Sequence, residues 1–377
     1  MYLLEHDAKE LLAQHGIAVP AGRLIGRGDA ICHPALPPGP WIVKGQIAAG
    51  GRGKAGLIRR AETLQDVTGH TGAILGATVN GRAVEAVRIE QAVAGAGEAY
   101  LGLMLDAAAG GVRVILSARG GMEVEALPRA AIRTEVAAPD AAALAACVAR
   151  LTNSLDGPES PALRDAGERL ARVFLECEAL LIEINPLFIR PGGGWIAGDA
   201  KFVTDDSALP RQPELRKLLE SRAAAYPEAA LKLEHGFDYV VADPAGEIGL
   251  LTTGAGLSMM LIDELRAAGL KPYNFLDIRT GGLRGKTKRL AQALDWIGRG
   301  SGVKVLLVNI FAGITDLGEF SRLLVAALGA ARFRTPVVAR LVGNGLPVAR
   351  EVLAAAGIGL HTDLDAALAA VRGHLQR

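Results

Sequence analysis

The chain has 377 residues, half of them hydrophobic and 21% charged, which is typical of globular proteins and not of disordered ones. This length is sufficient for two or three domains, each with a core of its own. The 41 Lys and Arg residues almost balance the 40 Asp and Glu residues. The chain therefore has no overall excess of positive charge of the kind that would indicate binding to nucleic acid or to an anionic membrane surface.

The cysteines and the first residues of the chain predict its compartment. Cys32, Cys147 and Cys177 are odd in number and lack metal-ligand spacing, which indicates thiols in a reducing compartment. The N-terminal residues carry charges by Glu5 and lack the apolar core of a signal peptide. The longest apolar run, at 141–149, is too short to span a bilayer. We therefore expect a cytoplasmic protein without a membrane segment.

A glycine-rich loop in the first half of the chain is a candidate phosphate site. A predicted strand at 41–47 carries Lys44 and leads into this loop at 48–56, and a second strand follows. The glycines allow backbone amides to converge on an anion, and Arg52 and Lys54 add positive charge. The Walker A pattern of P-loop proteins is absent. A phosphate-binding loop is the interpretation that we favour, and a flexible surface hairpin is the alternative.

A second candidate site lies in the predicted β-hairpin at 180–202. Alternation places Glu183 and Asn185 on one face of the first strand, and Asp199 and Lys201 on one face of the second. A loop with an odd number of residues sets Asn185 opposite Asp199, whereas an even number does not. Two oxygen ligands beside a cation suit Mg²⁺ held together with phosphates. The alternative is an ordinary hairpin with its polar face in water.

The pattern changes after residues 203–234, which have weak periodicity and predict a linker. Before them, the order of strands, hairpins and helices favours an α+β domain. After them, strands alternate with helices, which predicts a parallel three-layer α/β domain whose ligands bind beyond the carboxyl ends of the strands. Glycines stand at three such ends, and a helix starting near Thr315 could offer amides to an anion. These glycines are 254–256, 281–282 and 313. Each of them could instead only close a turn.

Six motifs occur in one order along the chain. They are AAGGRGKAG after the strand lysine, EAYLGLMLD, LLIEINPL followed by GDAK, TGAGLSMM, NFLDI and LLVNIFAGI. Because of them the chain resembles the β subunit of ADP-forming succinate–CoA ligase, or succinyl-CoA synthetase, from Lys9 to past Gly345. The resemblance implies an ATP-grasp domain over 1–234, with a small subdomain inserted at about 20–99. It also implies a flavodoxin-like CoA-ligase domain over 235–377.

The resemblance implies roles for individual residues, each carried over by its motif. Nucleotide phosphates would contact Lys44, Gly51, Arg52 and Gly53, and the nucleotide pocket would be lined by Glu90, Val93 and Glu98. Asn185 and Asp199 would be the Mg²⁺ ligands. Glu183 would serve catalysis by positioning a phosphohistidine loop. The substrate carboxylate would meet Thr253, Gly313, Ile314 and Thr315.

The family's chemistry is the formation of an acyl phosphate. ATP phosphorylates a histidine, the phosphoryl group passes to a carboxylate, and the thiol of CoA displaces it. The histidine and most of the CoA site belong to a separate α subunit in this family. None of the seven histidines here lies in a glycine-flanked helix start. The chain would thus be half of an αβ or (αβ)₂ enzyme, with Mg²⁺ and ATP or ADP as its own ligands.

Several residues depart from the family's pattern where the acid would bind. Thr253 replaces the family's Asn, and the segment 279–286 is longer and more cationic than its counterpart. Ala200 and Ala312 stand where the family usually has glycine, as in malate–CoA ligase large subunits. Succinate is the default acid, and malate or another dicarboxylate is the alternative. A non-catalytic nucleotide-binding subunit is a further alternative. Neither a preference for ATP over GTP nor a role for Lys201 beyond charge balance follows from the sequence.

Overall fold

A computed structural model describes most of the chain in two compact units, Met1–Ser221 and Arg222–Arg377, each considered by itself. The described residues are 1–31, 33–48, 50–79, 82–122, 128–155, 157–279, 287–313, 315–331 and 333–376. Residues 222–234 were predicted to belong to the first domain, and they lie in the second unit. Among the helices of these ranges, none has the length and apolar character needed to cross a membrane.

The first unit contains two larger antiparallel sheets, the two-stranded sheet β4-β5, and covering helices. Its helices are α1 (Glu5–Gln14), α2 (Leu64–Leu75), α3 (Ala141–Asn153), α4 (Ser160–Glu176) and α5 (Pro213–Ser221), with 3-10 turns at His33–Ala35, Arg129–Ala131 and Asp206–Arg211. Its strands are β1 (Gly22–Gly26), β2 (Trp41–Gln46), β3 (Ile58–Ala61), β4 (Thr78–Val79), β5 (Arg82–Ala83), β6 (Ala86–Gln91), β7 (Gly97–Asp106), β8 (Gly111–Ser117), β9 (Arg133–Ala137), β10 (Ala179–Ile189), β11 (Trp195–Ala197) and β12 (Lys201–Thr204).

The smaller sheet has the strand order β1-β6-β2-β3, and α2 packs on it. Helix α2 begins with a capping box, in which Thr63 Oγ1 accepts from the amide of Asp66 and the Asp66 carboxylate accepts from the amide of Thr63. Val67 and Ile74 of this helix are buried against the strands. This sheet therefore has a core of its own, and it carries Lys44 and Glu90 on two adjacent strands.

The larger sheet has the order β11-β10-β7-β8-β9, and β12 also pairs with β10. Its hairpin has an odd loop of five residues, 190–194, because Ile189 pairs with Trp195 and Glu183 pairs with Lys201. The pairs on either side of Asn185, Glu183 with Lys201 and Leu187 with Ala197, have the same register, which sets Asn185 opposite Asp199. This is the register that the metal roles implied by the resemblance require, whereas alternation alone left it open. Helices α3 and α4 cover the sheet and bury an apolar layer against it.

The second unit contains a parallel sheet flanked by helices. Its helices are α6 (Pro227–His235), α7 (Ala255–Ala267), α8 (Lys288–Gly298), α9 (Leu317–Ala330), α10 (Leu346–Ala355) and α11 (Leu364–Leu375), with a 3-10 turn at Ala223–Ala225. Its strands are β13 (Asp238–Val241), β14 (Ile248–Thr252), β15 (Asn274–Asp277), β16 (Val305–Ala312), β17 (Val337–Gly343) and β18 (Gly359–His361).

The predicted linker at 203–234 was wrong, because α5 lies inside it and α6 begins there. Each of these helices has only 9 residues. Leu215 and Leu219 anchor α5, and Leu231 anchors α6. So few buried positions leave little apolar periodicity in the sequence, which explains why no helix was predicted.

The predicted three-layer α/β domain is confirmed. Strands β14, β16, β17 and β18 are all parallel and lie in the order β14-β16-β17-β18. Leu250 and Leu307 belong to the core on one face of this sheet, whereas Leu251 and Leu306 belong to the core on the other. Alternating side chains therefore fill both faces, as a sheet between two helix layers requires.

A buried asparagine joins β15 to the edge of this sheet. Strand β15 pairs with β13 in an antiparallel ladder that was not predicted. Toward β14, Asn274 Oδ1 accepts from the amide of Leu250 at 2.9 Å, and Asn274 Nδ2 donates to the carbonyl of Leu250 at 2.8 Å. The side chain of Asn274 thus satisfies both backbone groups of one residue of β14.

We expect Asn274→Leu to destabilise the protein by about 2 kcal/mol or more, because it leaves two buried backbone groups of Leu250 without partners. Urea unfolding of the full chain measures the change. The control is Asn153→Leu, which alters an exposed residue at the end of α3. Equal stability of the two variants would contradict this account of Asn274.

Candidate functional site

A cluster of buried charges lies where α1, the smaller sheet and the hairpin meet in the first unit. We call it the ion cluster. It consists of Glu5, Lys9, Lys44, Arg52, Arg88, Glu90 and Asp199, which ion pairs connect. Four of its members, Lys44, Arg52, Glu90 and Asp199, were predicted site residues. The structure thus brings the predicted phosphate contacts and one predicted metal ligand into one network.

Lys44 projects from β2 into the centre of the ion cluster and is 6% exposed. Its Nζ atom donates to Glu5 Oε1 at 2.8 Å and to the carbonyl oxygen of Gly198 at 2.7 Å, and it lies 2.8 Å from Glu90 Oε1. Burial alone would lower the pKa of Lys44, but the carboxylates of Glu5, Glu90 and Asp199 raise this pKa above its usual value. The ammonium group is therefore charged and held in place.

Arg52 extends from the glycine-rich loop and bridges two carboxylates. Its guanidinium pairs with Glu5, and its Nη2 atom lies 2.6 Å from Asp199 Oδ1. In the same loop Gly51 adopts a positive φ of 76°. A side-chain carbon built at Gly51 or Gly53 would meet no atom within 4 Å. The loop backbone is thus open beside two buried cations, an arrangement that suits an incoming phosphate.

Glu90 lies on β6 and is 2% exposed. Its carboxylate accepts from Lys9 Nζ at 2.7 Å and from Arg88 Nε at 2.8 Å. Arg88 also donates to the carbonyl of Pro20 at 2.8 Å. Burial alone would raise the pKa of Glu90, but Lys9 and Lys44 lower this pKa below its usual value. In the described residues Glu90 is thus an ionised partner of three cations.

Asn185, the other predicted metal ligand, is held by a different loop. Its Oδ1 atom accepts from the amide of Gly121 at 2.8 Å, and its Nδ2 atom donates to the carbonyl of Met122 at 2.7 Å. Asp199 Oδ1 accepts from the amide of Ala200 at 2.8 Å besides pairing with Arg52. Asn185 and Asp199 are opposite in register and present one amide and one carboxylate group.

This donor set fits Mg²⁺ that is shared with phosphates. Mg²⁺ is usually held by one or two protein oxygens together with phosphates and water, not by a complete protein cage. Within the ranges that the structure describes, no group of three or more His, Cys, Asp or Glu residues could hold a metal ion. If Asn185 and Asp199 hold Mg²⁺, as the resemblance implies, the oxygens of a bound ligand would complete its coordination.

Glu183 and Lys201 form a pair on the same face of the hairpin. Lys201 Nζ lies 3.4 Å from Glu183 Oε2, and the two side chains are 38% and 23% exposed, respectively. Tyr2 lies near this region, and burial raises its pKa to about 12. The sequence left Lys201 without a role beyond charge balance. Its partner in the structure is Glu183, the predicted catalytic residue.

Two predicted pocket residues do not join the ion cluster. Val93 follows the end of β6, and Glu98 lies on β7, paired in register with Phe188. If Gly121 carried a Cβ atom, that atom would lie only 1.7 Å from Glu98 Oε2. Glu98 is therefore close to the loop that holds Asn185, and neither residue has a hydrogen bond to the cluster in the described part of the chain.

Sequence reasoning missed Glu5, Lys9 and Arg88, all of which are buried in the ion cluster. Glu5 and Lys9 are one helical turn apart on α1 and pair at 2.7 Å. They share the inward face of this helix with Leu12. Charged residues within the apolar stripe of a helix were the available signal.

In the second unit, the predicted acid-binding residues lie at the carboxyl ends of the parallel strands. Thr253 follows β14 and is half-buried, and Gly313 follows β16 and is exposed. The Gly313 carbonyl accepts from Asn344 Nδ2 at 3.0 Å. Thr315 is half-buried just before α9. Ile314 and residues 280–286 of the cationic segment lie outside the described residues, as does Cys32.

Helix α9 begins at Leu317, two residues after the predicted start near Thr315. The amide of Leu317 donates to the carbonyl of Asn344 at 2.9 Å, and the amide of Glu319 donates to Asp316 Oδ1 at 2.8 Å. Two of the first three amides of the helix are therefore satisfied within the chain. Less of this helix start is available to an anion than the sequence predicted.

Comparison with known proteins identifies the family. Residues 2–189 match the ATP-grasp domain, and residues 251–373 match the CoA-ligase domain. The chain is 38% identical over 387 aligned positions to the beta subunit of ADP-forming succinate–CoA ligase of Chloroflexus aurantiacus, with 100% of both chains covered. It is 35% identical to the beta subunit of GDP-forming succinate–CoA ligase of Thermus thermophilus, with 98% of both covered. The chain belongs to the family of succinate–CoA ligase β subunits.

The fold is shared more widely than the sequence. A solved structure of ATP citrate lyase from Methanothrix soehngenii, in complex with citrate and coenzyme A, is 18% identical. It superimposes with a TM-score of 0.70 over 96% of this chain and 95% of that chain. The predicted arrangement of an ATP-grasp domain followed by a CoA-ligase domain is confirmed, and the enzyme class is a ligase.

We expect the stability of the protein to depend on the charge of Glu5. Burial alone would raise the pKa of Glu5, but the cations of Arg52, Lys44 and Lys9 hold this pKa well below its usual value. Stability from Glu5 is then present above the unfolded pKa of about 4.3 and is lost as the pH falls toward the folded pKa. Glu5→Gln should lower the free energy of unfolding by about 3 kcal/mol at pH 7.

Urea unfolding at several pH values checks this expectation. The loss caused by Glu5→Gln should shrink as the pH falls through about 4 and below, because Glu5 is then protonated in the unfolded wild-type chain while it is still ionised in the folded one. Glu220→Gln, at an exposed position of α5 away from the ion cluster, is the control and should follow the wild-type curve. A Glu5→Gln effect that is independent of pH would contradict the expectation.

Proposed function

We propose that the chain is the nucleotide-binding β subunit of an ATP-dependent succinate–CoA ligase. With an α subunit it would form succinyl-CoA from succinate, CoA and ATP, or make ATP in the reverse direction. The observation that carries the proposal is the ion cluster, which holds Lys44 and Arg52 beside an open glycine-rich loop and Asp199. The full-length relatives named as succinate–CoA ligase β subunits support it.

The nucleotide phosphates are proposed to bind between the glycine-rich loop and the hairpin. Lys44 and Arg52 supply positive charge, and the amides around Gly51 and Gly53 donate hydrogen bonds. Asn185 and Asp199 would hold Mg²⁺, which neutralises charge on the phosphates when bound. Arg52 would then exchange its contact with Asp199 for a phosphate oxygen.

The proposed reaction has three steps, and this chain contributes mainly positioning and charge. The γ-phosphoryl group of ATP passes to a histidine of the α subunit and leaves ADP. The acid's carboxylate then attacks the phosphohistidine and forms an acyl phosphate. The thiol of CoA displaces inorganic phosphate and gives the thioester. Glu183, paired with Lys201, would orient the partner's phosphohistidine loop.

The acid is proposed to bind in the second unit, beyond the carboxyl ends of β14 and β16. Thr253, Gly313 and Thr315 stand there, with Ile314 between the last two. Succinate is the acid named for the relatives. Malate is a second candidate, because Thr253 replaces the family's Asn and Ala312 replaces its usual glycine. Ala312 is 6% exposed and lies directly before Gly313.

We expect Asn185→Ala and Asp199→Ala each to reduce Mg²⁺-dependent phosphorylation of the α-subunit histidine by about a hundredfold or more, since each removes one of the two metal contacts. Transfer of labelled phosphate from ATP to the co-purified α subunit measures it. Asn153→Ala at an exposed site is the control. If phosphorylation survives in either site variant, the metal assignment is wrong.

We expect Thr253→Asn to change the choice of acid and not the use of nucleotide. The ratio of kcat/KM for succinate to that for malate should rise about tenfold, since one hydrogen bond contributes about 0.5–1.5 kcal/mol net and about 1.4 kcal/mol corresponds to a factor of ten. Coupled assays with both acids measure the ratio, and histidine phosphorylation by ATP serves as the internal control. An unchanged ratio would remove Thr253 from the acid site, and inactivity of the wild type on both acids would contradict the proposed function.

A further inference from the structure

Two lysines of the ion cluster share the same three acceptors. Lys44 Nζ lies 2.8 Å from Glu5, 2.8 Å from Glu90 and 2.7 Å from the carbonyl oxygen of Gly198. Lys9 Nζ lies 2.7 Å from Glu5, 2.7 Å from Glu90 and 2.9 Å from the same carbonyl oxygen. The three donors of one ammonium group are enough to contact each of these acceptors once. The presence of a second one, at the cost of burying another charge, therefore calls for a reason.

The two ammonium groups differ in their surroundings. Lys9 is 0% exposed on α1, and burial lowers its pKa despite the two carboxylates. Lys44 is 6% exposed, and Arg52 and Asp199 act on it electrostatically. Lys44 thus lies on the side of the cluster that faces the glycine-rich loop, and Lys9 lies behind it.

The two carboxylates also differ in the cations that they retain when phosphate binds. Glu90 is paired with Lys9, Lys44 and Arg88. Glu5 is paired with Lys9, Lys44 and Arg52. Two of these three cations of Glu5 are the proposed phosphate contacts. If both turn to the nucleotide, Lys9 is the cation that remains on Glu5 among the described residues.

We infer that Lys9 is a positioning residue for nucleotide binding, which keeps Glu5 paired while Lys44 and Arg52 move to the phosphates. This inference rests on the proposed function, because it takes Lys44 as a phosphate contact. A buried carboxylate without a cation is strongly unfavourable. Without Lys9, each phosphate contact would have to be made at the expense of Glu5, and the nucleotide would bind more weakly although Lys9 does not touch it.

The test measures binding of Mg²⁺–ADP by isothermal titration calorimetry to the full-length chain, co-purified with its α subunit. Lys9→Met should weaken binding roughly tenfold or more, which corresponds to about 1.4 kcal/mol. Glu5→Gln removes the carboxylate that needs the cation. The double variant Lys9→Met/Glu5→Gln should therefore bind within about threefold of Glu5→Gln alone, because Lys9 acts through Glu5 and the effects of two coupled residues are not additive.

Two further variants control the experiment. Lys217→Met alters an exposed lysine of α5 and should bind as the wild type does. Lys44→Met tests the proposed function itself and should weaken binding without rescue by Glu5→Gln. The thermal unfolding temperature of each variant shows that folded proteins are being compared. If Lys9→Met alone does not fold, the comparison of the double variant with Glu5→Gln still decides, because the double variant keeps the buried charges balanced.

The outcomes separate the two proposals. If Lys44→Met weakens binding but Lys9→Met does not, or if the double variant binds more weakly than Glu5→Gln, the inference is wrong and the proposed function stands. A purely structural role of Lys9 would lower the unfolding temperature without this pattern of rescue. If Lys44→Met binds as the wild type, or the wild type does not bind Mg²⁺–ADP, both proposals fail.

Discussion

The buried carboxylate of Glu5 is the interaction on which the first unit depends. It is 2% exposed, and Lys9, Lys44 and Arg52 surround it with three cations from three different elements. Such a group is stable only while it is paired, so α1, the smaller sheet and the glycine-rich loop are held together electrostatically. The same requirement keeps Lys44 and Arg52 charged and held in place beside the loop before any phosphate arrives, which lowers the reorganisation that binding needs.

The hairpin adds a constraint of register. Since side chains alternate along a strand, only an odd loop sets Asn185 opposite Asp199, and the five residues 190–194 provide it. The two side chains nevertheless have different partners, because Asn185 is bound by the backbone at Gly121 and Met122 and Asp199 is bound by Arg52. Binding of metal and nucleotide is thus expected to begin with the release of Asp199, not with the assembly of a new site.

Local patterns predicted much of the fold and part of the site. The strand with Lys44, the glycine-rich loop and the parallel sheet followed from alternation and from glycine placement. The odd register of the hairpin did not, because alternation allows both registers and only the resemblance favoured one of them. The helices of 203–234 did not, because each is anchored by one or two leucines. The antiparallel pairing of β13 with β15 was also missed. On its other side β15 is joined to β14 by the side chain of Asn274 and not by a continuous ladder, so β15 does not continue the regular parallel pattern.

By itself the sequence determined the family, the order of the two domains, and the candidate side chains for phosphate, metal and acid, because these depend on residue types at short spacings. Only the tertiary structure decided which charges meet. Lys9 and Glu90 are 81 residues apart in the chain and form a buried ion pair, and no local pattern encodes such a contact. It also decided that two of the first three amides of α9 are already bound within the chain. Both results come from long-range packing, which sets the burial and the partners of a charged or polar group and thereby its chemistry.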